Sequence, residues 1–180
     1  METLLDLQQQ GKIRALGVSN CSLPELKQYW ARGTVDADQE RYSMLDRQIE
    51  AEQLPFCREH GMATLAYSPM SQGLLTGRVS LEREFPEGDW RRTKPRFQPE
   101  SRRRILELLA EIQPIADNRA LTLAQLVLAW TLAQPGITHV LAGIRNPDQA
   151  RENTAAGDVI LTAGELAQTD AALERHGEGP

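Results

Sequence analysis

Short apolar runs alternate with amphipathic stretches along this chain. The runs have the length of strands, and the stretches between them carry helix start signals, such as the capping boxes that open at Ser22 and Thr122. A repeated order of strand and helix is typical of a parallel sheet with helices packed against it. We therefore predict an α/β fold with four parallel strands, at residues 13–19, 35–39, 62–67 and 139–143.

The length of the chain excludes one common arrangement of such units. A complete (β/α)₈ barrel takes about 250 residues and rarely fewer than ~200, whereas this chain has 180. With 41% hydrophobic and 25% charged residues, the composition is that of a folded domain with a packed core. No linker or change of composition divides the sequence, so we predict a single domain over residues 1–180.

Charge, hydropathy and cysteine content exclude several functional classes. A net charge of −5 disfavours nucleic-acid binding, and no apolar run approaches the roughly 18 residues of a membrane span. The N-terminus lacks the basic and apolar regions of a signal peptide, so we expect a cytoplasmic protein. Cys21 and Cys57 are expected to be reduced thiols, and the three histidines have no metal-ligand spacing. We therefore expect no metal site.

Polar residues follow the predicted strands at their carboxyl ends, where loops and helix N-termini converge in parallel α/β folds. The candidates after the first three strands are Ser19, Asn20, Gln39, Arg41, Tyr42, Tyr67 and Ser68. After the fourth strand, Arg145 precedes a capped helix start at Asn146, where the helix dipole favours an anion such as a phosphate. Alternatively, Ser19 and Asn20 form a turn, Tyr67 is a half-buried core residue, and Arg145 is a solvated surface charge.

A segment rich in proline, glycine and charge lies between the third strand and the next helix, over residues 78–100. We predict that it is an excursion of the chain rather than a packed element. The basic side chains of this segment and of the start of the next helix are expected to form a solvated loop and helix face. The alternative is contact with an anionic ligand. They are Arg91, Arg92, Lys94, Arg96, Arg102, Arg103 and Arg104.

Five segments of the sequence together resemble the aldo-keto reductases. They are residues 11–20 (GKIRALGVSN), 41–47 (RYSMLDR), 54–61 (LPFCREHG), 66–77 (AYSPMSQGLLTG) and 143–153 (GIRNPDQAREN). Members of that family are (β/α)₈ barrels that bind NADPH and reduce aldehydes and ketones to alcohols. The resemblance covers nearly the whole chain and begins at the helix after the family's fourth strand. It therefore implies a partial (half) TIM (β/α)₈ barrel with four parallel strands and flanking helices.

The same resemblance implies contacts with NADP(H) at three groups of residues. The group at the nicotinamide carboxamide is Ser19, Asn20 and Gln39, with Tyr67 stacked on the ring. The group that lines the pyrophosphate is Ser68, Met70, Gln72 and Gly73. The group that holds the adenosine and its 2′-phosphate is Gly143, Arg145, Gln149 and Asn153.

Two residues depart from the family's pattern. Asp38 stands where the family usually has an apolar strand residue, and Gln149 stands where some members carry arginine. The family's catalytic tyrosine, lysine, aspartate and histidine belong to the first four strands of the barrel. The resemblance therefore assigns no catalytic residue to this chain.

We accordingly expect the C-terminal, cofactor-binding half of a reductase of small carbonyl compounds, inactive alone because the catalytic acid is missing. A half-barrel leaves inner side chains without partners, and each large apolar one that is exposed would forfeit about 1.5–3 kcal/mol. We expect a second copy or a separate N-terminal half to complete the barrel, or rearrangement into an open sheet. The alternative is a non-catalytic dinucleotide-binding or self-associating α/β module.

Overall fold

The computed structural model describes residues 1–176, so residues 177–180 of the predicted domain lie outside the described residues. The strands are β1 (Gly17–Ser19), β2 (Ala37–Arg41), β3 (Ala63–Tyr67) and β4 (His139–Leu141). The helices are α1 (Glu2–Gln9), α2 (Leu23–Trp30), α3 (Gln53–Glu59), α4 (Pro99–Asn118), α5 (Leu123–Ala133), α6 (Pro147–Ala155) and α7 (Ala163–His176). Short 3₁₀ helices lie at Gln48–Glu50, Ser71–Thr76, Trp90–Thr93, Pro95–Phe97 and Ala156–Asp158. Across residues 1–176, no helix is both long and apolar enough to cross a membrane.

The strands form one parallel sheet in the order β1-β2-β3-β4, which confirms the predicted α/β fold with four parallel strands. Ser19, Gln39 and Leu65 lie side by side in register, so the carboxyl ends of the strands meet at one edge. The first strand begins at Gly17, later than predicted. The Asp36 carboxylate accepts a hydrogen bond from the Leu16 N–H at 2.7 Å, so a side chain takes the place of a strand partner just before β1.

The helices α2, α5 and α6 begin where their capping signals predict, whereas α3 begins later than predicted, at Gln53, and α4 earlier, at Pro99. In α2 the Glu25 carboxylate accepts hydrogen bonds from the N–H of Ser22 at 2.8 Å and from its hydroxyl at 2.6 Å. An equivalent capping box opens α5 at Thr122. At α6 the N–H of Gln149 donates to Asn146 Oδ1 at 2.9 Å. These caps satisfy the free N–H groups of the first turns and fix where each helix leaves the sheet edge.

One face of the sheet is buried under the helices. Val18, Ala66 and Val140 lie on this face, and each belongs to or packs against a core cluster. The larger cluster is built around Tyr42 and Trp130, whose rings stack with centroids 6.1 Å apart. The smaller cluster consists of buried Leu26, Val35, Cys57 and Met62. The helices thus supply most of the apolar packing that holds the strands.

The other face of the sheet, which we call the open face, is exposed or part-exposed along all four strands. Its residues are Gly17, Ser19, Ala37, Gln39, Arg41, Ala63, Leu65, Tyr67, His139 and Leu141. Most of these side chains are small or polar, and the larger apolar ones are Leu65, Tyr67 and Leu141. Because few large apolar side chains lie on the open face, its exposure to water costs less free energy than we expected. That expectation came from the apolar side chains that generally fill the interior of a barrel.

The segment of residues 78–100 is more closely packed than predicted. Phe97 is buried, although the residues around it are mostly exposed. Its ring meets those of Phe85 and Trp90 edge-on, with centroids 5.5 and 5.6 Å away. Edge-on contacts of this kind add packing energy beyond the buried area. The prediction of an unpacked excursion is therefore wrong for this aromatic group.

Two of the basic side chains predicted to be solvated are held inside the fold. Arg102 is buried at the start of α4 and donates to the carbonyl oxygens of Ser80 and Arg83 at 2.7 and 2.9 Å. Arg96 forms an ion pair with the buried Asp46 at 2.9 Å. The prediction of a uniformly solvated basic face is wrong at these positions, because each guanidinium ties the segment to the rest of the domain.

Candidate functional site

The carboxyl ends of β3 and β4 open onto a cleft of about 930 Å³. Its walls are the loop after β3, the segment around residues 83–91 and the first turns of α6. The predicted cofactor residues that line it are Tyr67, Ser68, Met70, Gln72, Gly73, Gly143, Arg145, Gln149 and Asn153. The fold thus brings two distant parts of the sequence into one concave surface.

The remaining predicted residues, Ser19, Asn20 and Gln39, meet Tyr67 beside the cleft, and we call these four residues the strand end of the site. The Tyr67 hydroxyl donates to Asn20 Oδ1 at 2.6 Å. The Ser19 hydroxyl donates to the Gln39 carbonyl oxygen at 2.8 Å and accepts from Asn20 Nδ2 at 3.0 Å. Asn20 has a φ of 55°, in the left-handed region where asparagine is tolerated better than most residues. Hydrogen bonds within the chain therefore fix the strand end.

The loop after β3 has an unusual backbone, and we call residues 68–73 the left-handed loop. Ser68, Ser71, Gln72 and Gly73 have φ values of 56°, 44°, 54° and 97°. Such values outside glycine cost free energy and collect at functional sites. A Cβ atom built on Gly73 would meet no protein atom within 4 Å, so the space beside this backbone is open. A ligand can therefore approach the loop at the position of Gly73.

A buried network supports the left-handed loop from below. The Ser71 hydroxyl lies 3.0 Å from Ser43 Oγ, and Ser43 donates to Asp46 Oδ2 at 2.9 Å. Asp46 also accepts two hydrogen bonds from Arg96 Nη1, both at 2.9 Å. No local sequence pattern links these residues, because Asp46 and Arg96 are 50 positions apart. The network holds the strained loop in place and is itself shielded from solvent.

At the opposite wall of the cleft lies the helix end of the site, which consists of Gly143, Arg145, Gln149 and Asn153. Gln149 Oε1 accepts from the Arg145 N–H at 2.8 Å, and Asn153 Nδ2 donates to the Gly143 carbonyl oxygen at 3.3 Å. The Arg145 side chain is exposed, and no described residue hydrogen-bonds to its guanidinium. This cation stands at the N-terminus of α6, where the helix dipole also favours an anion.

Four other charged residues that line the cleft form ion pairs with one another. Arg78 Nη2 reaches the Glu152 carboxylate at 3.2 Å, which joins the loop after β3 to α6 across the cleft. Arg91 and Asp89 are 2.6 Å apart, and hydrogen bonds from Arg91 lower the pKa of Asp89 to about 2. Sequence reasoning missed Arg78 and Glu152, since no local pattern links residues 74 positions apart. These pairs leave Arg145 better placed than Arg78 or Arg91 to attract an external anion.

The donor set of the cleft suits a ligand with an amide group, an aromatic ring and phosphates. Hydroxyl and carboxamide groups lie at the strand end, the Tyr67 ring lines the wall, and Arg145 offers a bidentate phosphate contact. Gly143, like Gly73, has no protein atom within 4 Å of a built Cβ position. In residues 1–176 no group of three or more histidine, cysteine, aspartate or glutamate side chains is arranged to hold a metal ion.

Comparison with known proteins identifies the family of this chain. The family model described as "Aldo/keto reductase family" matches residues 1–174. The chain belongs to the aldo/keto reductase family. This aldo/keto reductase chain is 38% identical over 175 residues to the NADH-specific methylglyoxal reductase of Escherichia coli (strain K12), a match that spans 96% of the chain and 53% of that relative.

Solved structures of aldo-keto reductases have the same fold. The glycerol dehydrogenase from Gluconobacter oxydans superposes with a TM-score of 0.92 at 32% identity, over 98% of this chain and 54% of that one. An aldo/keto reductase from Klebsiella pneumoniae, in complex with NADP and acetate, superposes with a TM-score of 0.69 at 28% identity, over 94% and 52% of the two chains. The aldo/keto reductase chain thus spans about half the length of the relatives it matches.

Proposed function

We propose that this chain is the cofactor-binding half of an NADP(H)-dependent aldo-keto reductase of small aldehydes and ketones. The observation that carries the proposal is the left-handed loop, in which Ser68, Ser71 and Gln72 adopt strained conformations beside the open space at Gly73. Strain of this kind persists only where the surrounding structure holds it, and here a buried network does so. A loop held in this strained conformation beside open space fits the pyrophosphate of a dinucleotide.

In this proposal each group of residues contacts one part of the cofactor. Ser19, Asn20 and Gln39 bind the nicotinamide carboxamide, and Tyr67 stacks on the ring. The left-handed loop lines the pyrophosphate through Ser68, Met70, Gln72 and Gly73. Gly143, Arg145, Gln149 and Asn153 hold the adenosine and its 2′-phosphate. When bound, the reduced nicotinamide supplies a hydride to the carbonyl carbon, and the residues of this chain hold and orient that ring.

We propose NADP(H) rather than NAD(H) because of the charge at the helix end. The Arg145 guanidinium has no partner among the described residues, and the 2′-phosphate would supply one. The side chain of Gln149 is already used, since its Oε1 accepts from the Arg145 N–H at 2.8 Å. One relative is an NADH-specific reductase and one neighbour was solved in complex with NADP, so a comparison of NADH and NADPH affinities tests this preference.

We further propose that the proton donor for the carbonyl oxygen comes from another polypeptide segment. The chain has three tyrosines. Tyr42 is buried, and burial together with the hydrogen bond to Glu50 raises its pKa. Tyr29 is exposed on α2, and Tyr67 is assigned to the nicotinamide ring. None of them matches the motif of the family's catalytic tyrosine, so we expect the half-domain of residues 1–180 to be inactive by itself.

A complementary half or a second copy would complete the sheet. β1 and β4 are edge strands with unpaired backbone groups, and Leu141 of the open face is 40% exposed. These features also support the second candidate function, a self-associating α/β module that binds dinucleotide without catalysis. We place either form in the cytoplasm.

The direct test is titration of the purified chain with NADPH while protein fluorescence is recorded. Trp90 lines the cleft and is 51% exposed, so bound cofactor should quench it by energy transfer to the reduced nicotinamide. In Trp90→Phe the saturable quenching should fall sharply, whereas Trp30→Phe should retain it. Absence of saturable quenching and of heat on calorimetric titration would refute cofactor binding. Turnover of a simple aldehyde by this chain alone would refute the missing proton donor.

A further inference from the structure

A polar cluster lies on the helix-facing side of β2, where the sheet is otherwise apolar. Asp38 is fully buried and Glu40 is 6% exposed, and both side chains point to the same face because they are two residues apart on one strand. Gln53 of α3 is also buried, and its Nε2 donates to Asp38 Oδ2 at 2.7 Å. We call Asp38, Glu40 and Gln53 the buried polar triad. Burying two carboxyl groups together is costly, so their contacts require an explanation.

The buried polar triad holds the main chain of one residue, Cys21, in the loop between β1 and α2. Glu40 Oε1 accepts a hydrogen bond from the Cys21 N–H at 3.1 Å. Gln53 Nε2 donates to the Cys21 carbonyl oxygen at 3.2 Å. Both polar groups of the Cys21 main chain are thus bound by side chains that come from β2 and α3. The residue directly before this clamped position is Asn20, which belongs to the strand end of the site.

Asn20 needs such support because of its conformation. Its φ of 55° is unfavourable for most residues, and this conformation brings its carboxamide to the Tyr67 hydroxyl at 2.6 Å. The Asn20 N–H donates to the carbonyl oxygen of Gln39, the residue before Glu40 on β2, at 3.3 Å. β2 therefore holds the main chain on both sides of the Asn20 carbonyl, through the Gln39 carbonyl oxygen and the Glu40 carboxyl.

We propose that Glu40 is a positioning residue, whose carboxyl accepts from the Cys21 N–H and so holds the Asn20–Cys21 turn in the conformation in which Asn20 reaches Tyr67 and the nicotinamide. Ionisation of Glu40 puts a second negative charge beside Asp38 and strengthens the hydrogen bond from Cys21, because a carboxylate accepts more strongly than a neutral carboxyl group. The second part of the statement, the contact with nicotinamide, rests on the proposed function. The first part, the hold on the turn, is a property of the chain alone.

The groups around Glu40 place its ionisation near neutral pH. Burial, together with the neighbouring Asp38 carboxylate, raises the pKa of Glu40 to about 7. Asp38 Oδ1 is buried and has no hydrogen-bond partner among the described residues, and a proton on Glu40 supplies the missing donor. Loss of that proton leaves two negative charges side by side. The protonated pair therefore stabilises the fold at low pH, and this contribution is lost as the pH rises through about 7.

The other ionisable groups packed against Glu40 do not compensate this charge. Cys57 of α3 and Cys21 of the loop both face the pair, and burial raises the pKa of each thiol, to about 11 for Cys57. Both thiols therefore stay neutral while Glu40 titrates. The negative charge of Glu25 on α2 also raises the pKa of Cys21, in the same direction as Asp38 and Glu40. Within residues 1–176, the groups that act most strongly on Glu40 are the Asp38 carboxylate and backbone N–H groups, and none of these is a cation.

The test is a pH titration of the ¹⁵N-labelled chain without cofactor, followed by the amide resonances of Asn20 and Cys21 and the side-chain amide of Asn20. We expect all three to shift between pH 5.5 and 8.5 with one midpoint near 7. In Glu40→Gln, whose neutral amide offers the same acceptor to Cys21 and a donor to Asp38, they should stay near their low-pH positions at every pH. Glu59→Gln, on the exposed side of α3, should titrate like the natural chain.

The outcomes separate this inference from the proposed function. If the wild-type resonances do not titrate together in this range, the inference is overturned, whether or not cofactor binds. If they titrate and NADPH binds, its affinity should fall about tenfold in Glu40→Ala, which removes the acceptor of the Cys21 N–H, and stay close to that of the wild type in Glu40→Gln, which keeps an acceptor there. An unchanged affinity in Glu40→Ala would overturn the link between Glu40 and the nicotinamide. If NADPH does not bind at any pH, the proposed function fails while the hold on the turn is still decided by the titration.

Discussion

The two ends of the candidate site are built in different ways. At the strand end, hydrogen bonds within the chain hold the side chains of Ser19, Asn20 and Tyr67. The left-handed loop beside it rests on the ion pair of Asp46 and Arg96. At the helix end, the Arg145 guanidinium is exposed and has no described partner. The neighbouring ion pair of α6, Arg151–Asp148, has side chains that are 76% and 94% exposed.

This difference matches the two tasks that a dinucleotide site has. The ring that exchanges the hydride must be held within a fraction of an ångström, which requires side chains fixed before binding. The phosphate of the adenosine half needs charge more than geometry, and an exposed arginine supplies it. The comparison therefore predicts that strand-end changes act on stability and orientation, while helix-end changes act on affinity and on its salt dependence.

The largest effect should come from the ion pair under the left-handed loop. Asp46→Ala removes the acceptor of Ser43 and leaves Arg96 without its buried carboxylate, so the free energy of unfolding should fall by about 3 kcal/mol. The matched change in the exposed pair, Asp148→Ala, should lower it by less than about 0.5 kcal/mol. Urea denaturation of both variants measures this. Equal losses would show that the two ends are not built differently.

Gly73→Val tests whether the left-handed loop is a binding surface. Valine is strained at a φ of 97°, and its side chain would enter the open space beside the loop. We expect NADPH affinity to fall at least tenfold while the circular dichroism spectrum stays native. Gly88→Val is the control, because Gly88 also has a positive φ of 83° and open surroundings but does not line the cleft. A comparable loss of affinity in the control would remove the loop from the site.

Arg145→Ala should change cofactor preference rather than stability. Removal of the guanidinium should weaken NADPH binding about tenfold, the loss of one charge-assisted phosphate contact, and leave NADH binding nearly unchanged. The measurement is the pair of dissociation constants at low and high salt. Arg103→Ala, an exposed arginine of α4, is the control. Equal weakening of both cofactors would contradict a 2′-phosphate contact.

The smallest effect is expected at Tyr67. Tyr67→Ala removes the stacking surface and should weaken NADPH binding about fivefold, or roughly 1 kcal/mol. Tyr67→Phe keeps the ring but loses the hydrogen bond to Asn20, so it should bind more tightly than Tyr67→Ala. Tyr29→Ala on α2 should leave the affinity unchanged. Identical affinities for Tyr67→Ala and the wild type would exclude stacking at this position.

The local parts of this fold are predictable from the sequence. Three helix caps involve only residues that are close in the sequence, because the capping side chain and its backbone partner are near neighbours. These caps are at Ser22, Thr122 and Asn146. The neighbouring positions of β1, β2 and β3 also follow from their short strand–helix connections. The Asn146 cap then places Arg145 at the cleft wall, as its position directly before a helix start signal indicates.

The contacts between distant residues are not predictable in this way. Asp46 and Arg96, or Arg78 and Glu152, are charged residues whose types alone predict solvation, and only the folded chain pairs them. The left-handed conformation of residues 68 and 72 is likewise hidden, because glycine or asparagine would be the usual sign of it. Asp38 stands out as an unusual strand residue, but its partners on β2 and α3 become apparent only from packing.

The sparse apolar content of the open face has a thermodynamic consequence for any partner that covers it. Heat-capacity change on association scales with the apolar area that leaves water, and here Leu65, Tyr67 and Leu141 supply most of that area. A complex formed on this face should therefore show a small heat-capacity change for its size in isothermal calorimetry. Its enthalpy would come mainly from new hydrogen bonds at the strand edges.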